Sequence, residues 1–173
     1  MTAPVFVDTN VFVYARQASE GSKQRQAEQW LNHLWREQLG RTSMQVLNEY
    51  YATLTRKINP ALSADEAWDK VRNLLGWIPQ PTDADMLLRA REIERRHRLN
   101  WWDCLIVAAA QAQNCLLLLS EDLQDGAQYG GVTVRNPFTL GVNEAAALYI
   151  AAPAATRQHR PRGRPKRLTG AAA

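Results

Sequence analysis

The sequence predicts an α/β fold built on a mainly parallel sheet that is covered by helices. Short runs rich in apolar and branched residues at 5–8, 116–119 and 132–134 predict strands. The long segments between the first two runs place apolar residues at helical spacing. Strands that alternate with helices are joined by crossover connections, and such connections pair strands in parallel. The fold class follows from this alternation.

Five long helices are predicted between residues 24 and 113. Two of them cover 24–39 and 83–97, and a third follows a capping box that runs from Ser63 to Glu66. Asn100 caps a helix that extends to about residue 113. Ser43 caps the remaining helix, whose predicted apolar stripe consists of Met44, Leu47, Tyr51 and Leu54. Thr9 and Asn10 end the first strand, before an apolar segment at 11–14 that can begin a helix.

Length and composition predict one domain. The chain has 173 residues, of which 46% are hydrophobic, which is enough for one core and too little for two. It contains no run of about 18 apolar residues, so we expect a soluble, cytoplasmic protein without contact to a membrane. Cys104 and Cys115 lie in or beside apolar segments without a CxxC pattern, and we expect buried thiols with neither a metal nor a disulfide.

The positive charge of the chain belongs to its C-terminal end. The formal net charge is +4, but the first 152 residues carry 15 basic and 17 acidic residues. Six basic residues and no acid follow Pro153, in a segment rich in alanine, proline and arginine. We therefore expect a folded domain over residues 1–145 and a basic, disordered tail over 151–173.

Two acidic residues follow predicted strands, where parallel sheets collect their ligand chemistry. Asp8 ends the run "VFVD", and Asp122 lies two residues beyond "LLLLS". Asp8 could equally cap the following helix, because aspartate at such a junction commonly accepts hydrogen bonds from backbone N–H groups. Asp122 could belong to a hydrated acidic turn with Glu121 and Asp125.

Two further acids lie on predicted helices. Glu49 lies off the centre of the apolar stripe of its helix, and a solvated flank is the ordinary location for a lone glutamate. Asp103 is the only acid in the otherwise apolar start of "WWDCLIVAAA". It could also be the third residue of a helix capped by Asn100, where the helix dipole favours a negative charge.

Considered together, the four acids predict a metal site. Several ionised carboxylates cannot share one cleft without cations, because each raises the pKa of the others and burial adds to the cost. Mg²⁺ or Mn²⁺ binds carboxylate oxygens, retains waters and accepts phosphate oxygens as ligands. Such an ion can activate a water for attack on a phosphodiester.

The chain resembles the PIN-domain ribonucleases, in particular the VapC-type toxins of bacterial toxin–antitoxin pairs. The resemblance covers residues 4 to about 140 and is carried by an ordered series of motifs: "VFVDTNVFVY", "TSMQVLNEYYATL", "LNWWDCLIVAAA", "LLLLSEDLQDG" and "VRNPF". It implies a three-layer α/β/α sandwich and metal-dependent endonucleolytic cleavage of RNA. It also implies a small cognate antitoxin and a homodimer.

The same resemblance implies roles for individual residues. Asp8, Glu49, Asp103 and Asp122 match the catalytic acidic quartet, with Asp8, Asp103 and Asp122 as ligands of Mg²⁺ or Mn²⁺. The polar positions that support these acids are matched by Asn10, Ser43 and Ser120. Trp101 and Trp102, two of the six tryptophans, lie beside Asp103. They could help to form the surfaces for the antitoxin and the dimer, stack RNA bases or, as is usual for a tryptophan, pack in the core.

The tail has no counterpart in this resemblance. Residues 161–167 look like an AT-hook, a short basic segment that lies in the narrow minor groove of A·T-rich DNA. The residues that would contact nucleic acid are Arg162, Gly163, Arg164, Pro165, Lys166 and Arg167. The alternative is a disordered polycation that attracts RNA or DNA without regard to sequence.

Two other functions fit parts of the sequence. Haloacid-dehalogenase-like phosphatases use a first-strand aspartate as nucleophile and an acid two residues later, but that second position is Asn10 here. A non-catalytic nucleic-acid-binding or regulatory protein could retain a PIN-like core and a basic tail, with the acids as helix caps and ion-pair partners. Metal-dependent turnover discriminates the nuclease from this binding protein.

Overall fold

The computed structural model describes residues 3–145. In this part of the chain the strands are β1 (Val5–Val7), β2 (Gly40–Arg41), β3 (Leu117–Leu119), β4 (Gln128–Tyr129) and β5 (Val132–Arg135). The α-helices are α1 (Thr9–Tyr14), α2 (Ser22–Arg36), α3 (Met44–Arg56), α4 (Ala64–Leu74), α5 (Ala84–His97), α6 (Trp101–Ala112) and α7 (Val142–Ala145). Two single turns of 3₁₀ helix lie at Ala18–Glu20 and Leu75–Trp77.

The five strands form one sheet in the order β2-β1-β3-β5-β4. Three of its four strand pairs are parallel, and only β4 and β5 pair antiparallel. Helices flank the sheet, as in a three-layer α/β/α arrangement, so the predicted fold class is confirmed. Within it, β1 and β3 are neighbours, with Val7 paired to Leu119. Asp8 and Ser120 therefore leave the sheet side by side.

The core is formed by the central strands and the helices packed on them. All three residues of β1 and all three of β3 are buried, as expected for strands covered on both faces. Helix α6 is buried continuously from Cys104 to Ala110, which confirms the prediction from its apolar sequence. Both cysteines are buried, also as predicted.

Capping residues set the starts of the helices that carry functional side chains. Ser43 accepts a hydrogen bond from the Val46 N–H at 3.3 Å, and Asn100 accepts one from the Asp103 N–H at 3.0 Å. The capping box at Ser63 is also present. These caps were predicted, and they determine which turns of α3 and α6 carry Glu49 and Asp103.

Two local predictions were wrong, and two strands were missed. Helix α1 already includes Thr9 and Asn10, because Asp8 caps it directly at the end of β1. On α3, the buried face contains Tyr50 rather than Tyr51, and Met44 is 40% exposed. The two-residue strands β2 and β4 were not predicted, because they are too short for an apolar pattern and depend on pairing with β1 and β5.

The basic tail lies outside the described residues, and with it the AT-hook-like segment at 161–167. Among residues 3–145, no helix has both the length and the apolar character needed to cross a membrane.

Candidate metal and nuclease site

Asp8 lies at the carboxyl edge of the sheet, beside a cleft lined by Asn10, Glu49 and Asp122. Its side chain is 8% exposed, and Oδ1 accepts a hydrogen bond from the Thr9 N–H at 2.6 Å, so the capping interpretation is confirmed. The other oxygen, Oδ2, accepts a hydrogen bond from the Ser120 hydroxyl at 2.7 Å. Asp8 is therefore a helix cap and also a carboxylate that faces the end of the neighbouring strand.

Asn10 connects the two strand ends. Its Nδ2 lies 3.3 Å from Asp8 Oδ2, 3.1 Å from Asp122 Oδ2 and 3.4 Å from Ser120 Oγ. Its Oδ1 accepts a hydrogen bond from the Glu121 N–H at 3.4 Å. The Ser120 hydroxyl also accepts the Asp122 N–H at 3.2 Å. Asn10 and Ser120 thus hold Asp8 and Asp122 at one edge of the sheet.

Glu49 reaches the same cleft from α3. It is half-buried, and its Oε2 accepts a hydrogen bond from the Thr9 hydroxyl at 2.9 Å. Gln45, one helical turn earlier, donates from Nε2 to Glu49 Oε1 at 3.0 Å. Glu49 is therefore not a solvated flank. Thr9 and Gln45 are supporting residues that the sequence analysis missed, although spacing by one turn from Glu49 was a signal for Gln45.

Asp103 projects from the first turn of α6. Asn100 caps the helix through its side-chain oxygen and donates from Nδ2 to Asp103 Oδ2, so the predicted capping role is confirmed. Partial burial raises the pKa of Asp103, and the negative charges of Asp122 and Glu49 raise it further. The hydrogen bond from Asn100 lowers the pKa, but the net shift is upward. These charges act on Asp103 because all three acids lie around one cleft.

The electrostatic cost of the cleft is greatest at Asp8. Burial raises its pKa to about 6, against the opposing hydrogen bonds from Ser120 and Thr9. The charges of Asp122 and Glu49 raise the pKa further. Within residues 3–145, none of the four acids forms an ion pair, and their hydrogen-bond donors are neutral. The negative charge of these four acids is thus not paired with a cation of the described chain.

The donor set of the cleft fits a hard divalent cation. Carboxylate oxygens are the preferred protein ligands of Mg²⁺, which retains several waters and needs only one or two direct carboxylates. In the described part of the chain, no group of three or more His, Cys, Asp or Glu side chains has the compact arrangement of a complete metal site. An ion held by these acids would therefore have to complete its coordination with water and substrate oxygens.

Other predicted residues lie away from the four acids. Ser43 is buried at the start of α3, where it acts as a cap and makes no hydrogen bond with the quartet among the described residues. Glu121 pairs with Lys23, and Asp125 pairs with Arg135 at 3.0 Å. Of the acids in "SEDLQD", Asp122 is thus the one that faces Asn10 and the cleft.

Comparison with known proteins identifies the family. The PIN domain model matches residues 5–124. A solved structure with a similar fold is that of VapC20 from Mycobacterium tuberculosis, described as a toxin that cleaves the sarcin-ricin loop. That match has 22% sequence identity and a TM-score of 0.51, and covers 68% of this chain and 91% of that one. No curated protein matches the chain in sequence. On the evidence of the match over residues 5–124, this chain belongs to the PIN domain family.

Proposed function

We propose that this protein is an endoribonuclease that depends on Mg²⁺ or Mn²⁺. The observation that carries the proposal is the convergence of Asp8, Glu49, Asp103 and Asp122 on one cleft without a cationic partner in the described part of the chain. Side chains that served only as caps would have no reason to be brought together at an electrostatic cost. Membership of the PIN family supports the same function.

The chain supplies the ligands and their orientation. Asp8, Asp103 and Asp122 would hold the ion, with Asp8 oriented by Ser120 and Asp122 by Asn10. A divalent cation at such a site activates a water and offsets the charge of the reacting phosphate. Glu49 is held by the neutral donors Thr9 and Gln45, so its carboxylate stays available to accept a proton from the attacking water.

We further propose that the protein is the toxin of a type II toxin–antitoxin pair in the cytoplasm. The fold that it shares with VapC20 supports this assignment. The proposal includes a cognate antitoxin and a homodimer. Co-expression with the product of an adjacent small gene should suppress toxicity and cleavage, and continued cleavage in the presence of every such neighbour would contradict the pairing.

The tail is proposed to contact nucleic acid independently of the cleft. The six basic residues after Pro153 attract phosphates electrostatically. The segment at 161–167 could place arginine in an A·T minor groove. Deletion of residues 153–173 should weaken binding to RNA and DNA but preserve hydrolysis of a short oligonucleotide. Loss of that hydrolysis would contradict the separation of the two regions.

The test of the nuclease proposal is cleavage of a structured RNA pool with Mg²⁺, with Mn²⁺ and with EDTA. Wild type should cut only with metal, and Asp103→Asn should not cut. A matched control is Asp85→Asn, which changes an exposed aspartate in the first turn of α5 and should leave cleavage intact. Retained cleavage in Asp103→Asn would contradict the quartet. Absence of cutting by an inhibitor-free wild type would favour the non-catalytic binding protein.

A further inference from the structure

The two adjacent tryptophans at the start of α6 have different surroundings. Trp101 is half-buried and packs against the core, whereas Trp102 is 62% exposed. Exposing a large aromatic surface to water is unfavourable by about 25 cal/mol per Å². Core packing therefore accounts for Trp101 but not for Trp102, which stands next to Asp103 of the proposed catalytic quartet.

The backbone of Trp102 is anchored beside the cleft. Gln45 Nε2, which also donates to Glu49, lies 3.4 Å from the Trp102 carbonyl oxygen. The link joins the first turn of α6 to α3 through backbone atoms of Trp102 and leaves its indole unconstrained by polar contacts. The indole is thus an aromatic surface on a fixed base, and removal of its ring would keep the Gln45 contact.

Trp102 borders two grooves that meet at Glu49. One groove, of about 610 Å³, is lined by Trp102, Glu49, Asn10 and Asp122 and therefore reaches two of the four acids of the proposed site. The other groove, of about 480 Å³, is lined by Trp102 and Glu49 and includes the apolar side chain of Leu105. A chain that lay across the cleft would contact the indole on either side.

The first groove also contains a cation. It follows one face of α3 from Glu49 through Thr53 to Lys57, a distance of about 12 Å along the helix axis at 1.5 Å per residue. Lys57 is exposed and forms no ion pair with a described residue. The groove thus has carboxylates for a metal at one end, an ammonium group for a phosphate at the other and an aromatic surface at its border.

We infer that Trp102 stacks the base of an unpaired nucleotide next to the scissile phosphate, with Lys57 contacting a neighbouring phosphate of the same strand. The inference rests on the proposed nuclease function, and it specifies the substrate as single-stranded or looped RNA. Every base has a π-face that can stack on an indole, but in a duplex both faces are covered by neighbouring base pairs. Trp102 is therefore a positioning residue that selects for unpaired RNA.

The test measures binding rather than turnover, in full-length Asp8→Asn protein with Mg²⁺ present. The probes are a short RNA without self-complementarity and the duplex formed with its complement. Trp102→Ala should weaken binding of the single strand by about 5- to 150-fold, the range of one base–aromatic stack, with little effect on the duplex. Trp102→Phe should retain most of the affinity because it preserves a ring. Salt high enough to suppress nonspecific binding by the tail sharpens the comparison.

The matched control is Trp68→Ala, which removes another exposed tryptophan, from α4, that is 50% exposed and absent from the lining of either groove. It should leave affinity unchanged. Equal affinity of Trp102→Ala and Trp68→Ala for the single strand would overturn the inference. An equal loss for single strand and duplex would also overturn it.

Cleavage by proteins with an intact Asp8 separates this inference from the proposed function. If wild type cuts RNA and Trp102→Ala cuts and binds equally well, the stacking inference fails and the nuclease proposal stands. If wild type does not cut but Trp102→Ala still lowers affinity for the single strand, the nuclease proposal fails and the stacking role stands.

Discussion

Six acids of this protein lie in two neighbouring regions with opposite electrostatics. In the cleft, Asp8 and Asp103 have raised pKa values because of burial and because other carboxylates lie near them. In the turn after β3, hydrogen bonds from the Asn136 N–H and from Arg135 lower the pKa of Asp125. Partial burial opposes ionisation of Glu121, but its pairing with Lys23 lowers the pKa below the usual value.

The difference separates acids that have a structural ion-pair partner from the acids of the proposed site. Glu121 and Asp125 lie only a few residues from Asp122, yet each has a cationic partner that balances its charge. Asp122 has the amide of Asn10 instead. An acid that the fold leaves unbalanced is a candidate for binding an external cation. Substitutions that remove one carboxylate from each region test this distinction.

The largest expected difference concerns cleavage. Asp8→Asn should lower the rate of RNA hydrolysis by at least about a hundredfold, because loss of a direct metal ligand should cost no less than the 10- to 100-fold typical of outer-shell partners. Asp125→Asn, the same chemical change in the turn, should remain within a few-fold of wild type. The measurement is the initial rate of cleavage of one RNA at saturating Mg²⁺. Equal losses of this rate in the two variants would contradict the distinction between the cleft and the turn.

The second expected effect is a stability gain in the variant that loses activity. Folded Asp8 keeps its proton up to a pKa of about 6, whereas the ordinary value is 3.8. Between these values the folded state binds more protons than the unfolded state, so stability falls as pH rises through this window. At pH 7 without metal, Asp8→Asn should be more stable than wild type by up to about 3 kcal/mol.

Urea unfolding in EDTA at pH 4 and at pH 7 measures this effect. The stability difference between Asp8→Asn and wild type should be small at pH 4 and should reach its full value above pH 6. Asp125→Asn is the control and should lose stability at pH 7, because the pKa of Asp125 is lowered by native contacts. A gain from Asp8→Asn that did not depend on pH would contradict the assigned cause.

A somewhat smaller effect is expected from metal binding. Mg²⁺ at about a hundred times its dissociation constant should stabilise wild type by about 2.7 kcal/mol, because the ion binds the folded cleft and not the unfolded chain. Asp8→Asn should gain much less from the same concentration. Thermal unfolding with and without Mg²⁺ measures the stabilisation of both proteins. An equal gain in stability would show that the ion binds away from Asp8.

The smallest effect is expected from Glu121→Gln. The partly exposed pair with Lys23 contributes within the range of about 0.2 to 1 kcal/mol typical of such contacts. We expect a loss of stability in that range and cleavage within about twofold of wild type. A loss of cleavage comparable to that of Asp8→Asn would assign Glu121 to the catalytic quartet.

Much of the fold was predictable because the relevant signals are local. The capping residues Ser43, Ser63 and Asn100 were identified from side-chain type and spacing, and the structure confirms all three. Strands β1 and β3 were predictable because burial on both faces requires an uninterrupted apolar run. The short strands β2 and β4 were not, because their pairing partners lie elsewhere in the chain.

The choice between Tyr50 and Tyr51 shows the limit of periodicity. The two residues are adjacent in sequence, so helical periodicity allows either of them on the apolar face of α3. Only contacts with other elements decide which one is buried. Tyr50 packs against Phe12 of α1, with ring centroids 5.6 Å apart, and is buried. A one-residue shift in the buried face also changes the direction of Glu49, so the hydrogen bond from Thr9 could not be predicted from the stripe.

The sequence by itself determined the identity and order of the four acids, the strand ends and helix turns that carry them, and the basic character of the tail. Tertiary structure decided which of the described acids pair with a cation, how strongly burial raises the pKa of Asp8 and which of two adjacent tryptophans borders the cleft. The physical reason is that caps and apolar periods act over a few residues of chain, whereas desolvation and charge pairing depend on everything within a few ångströms in space.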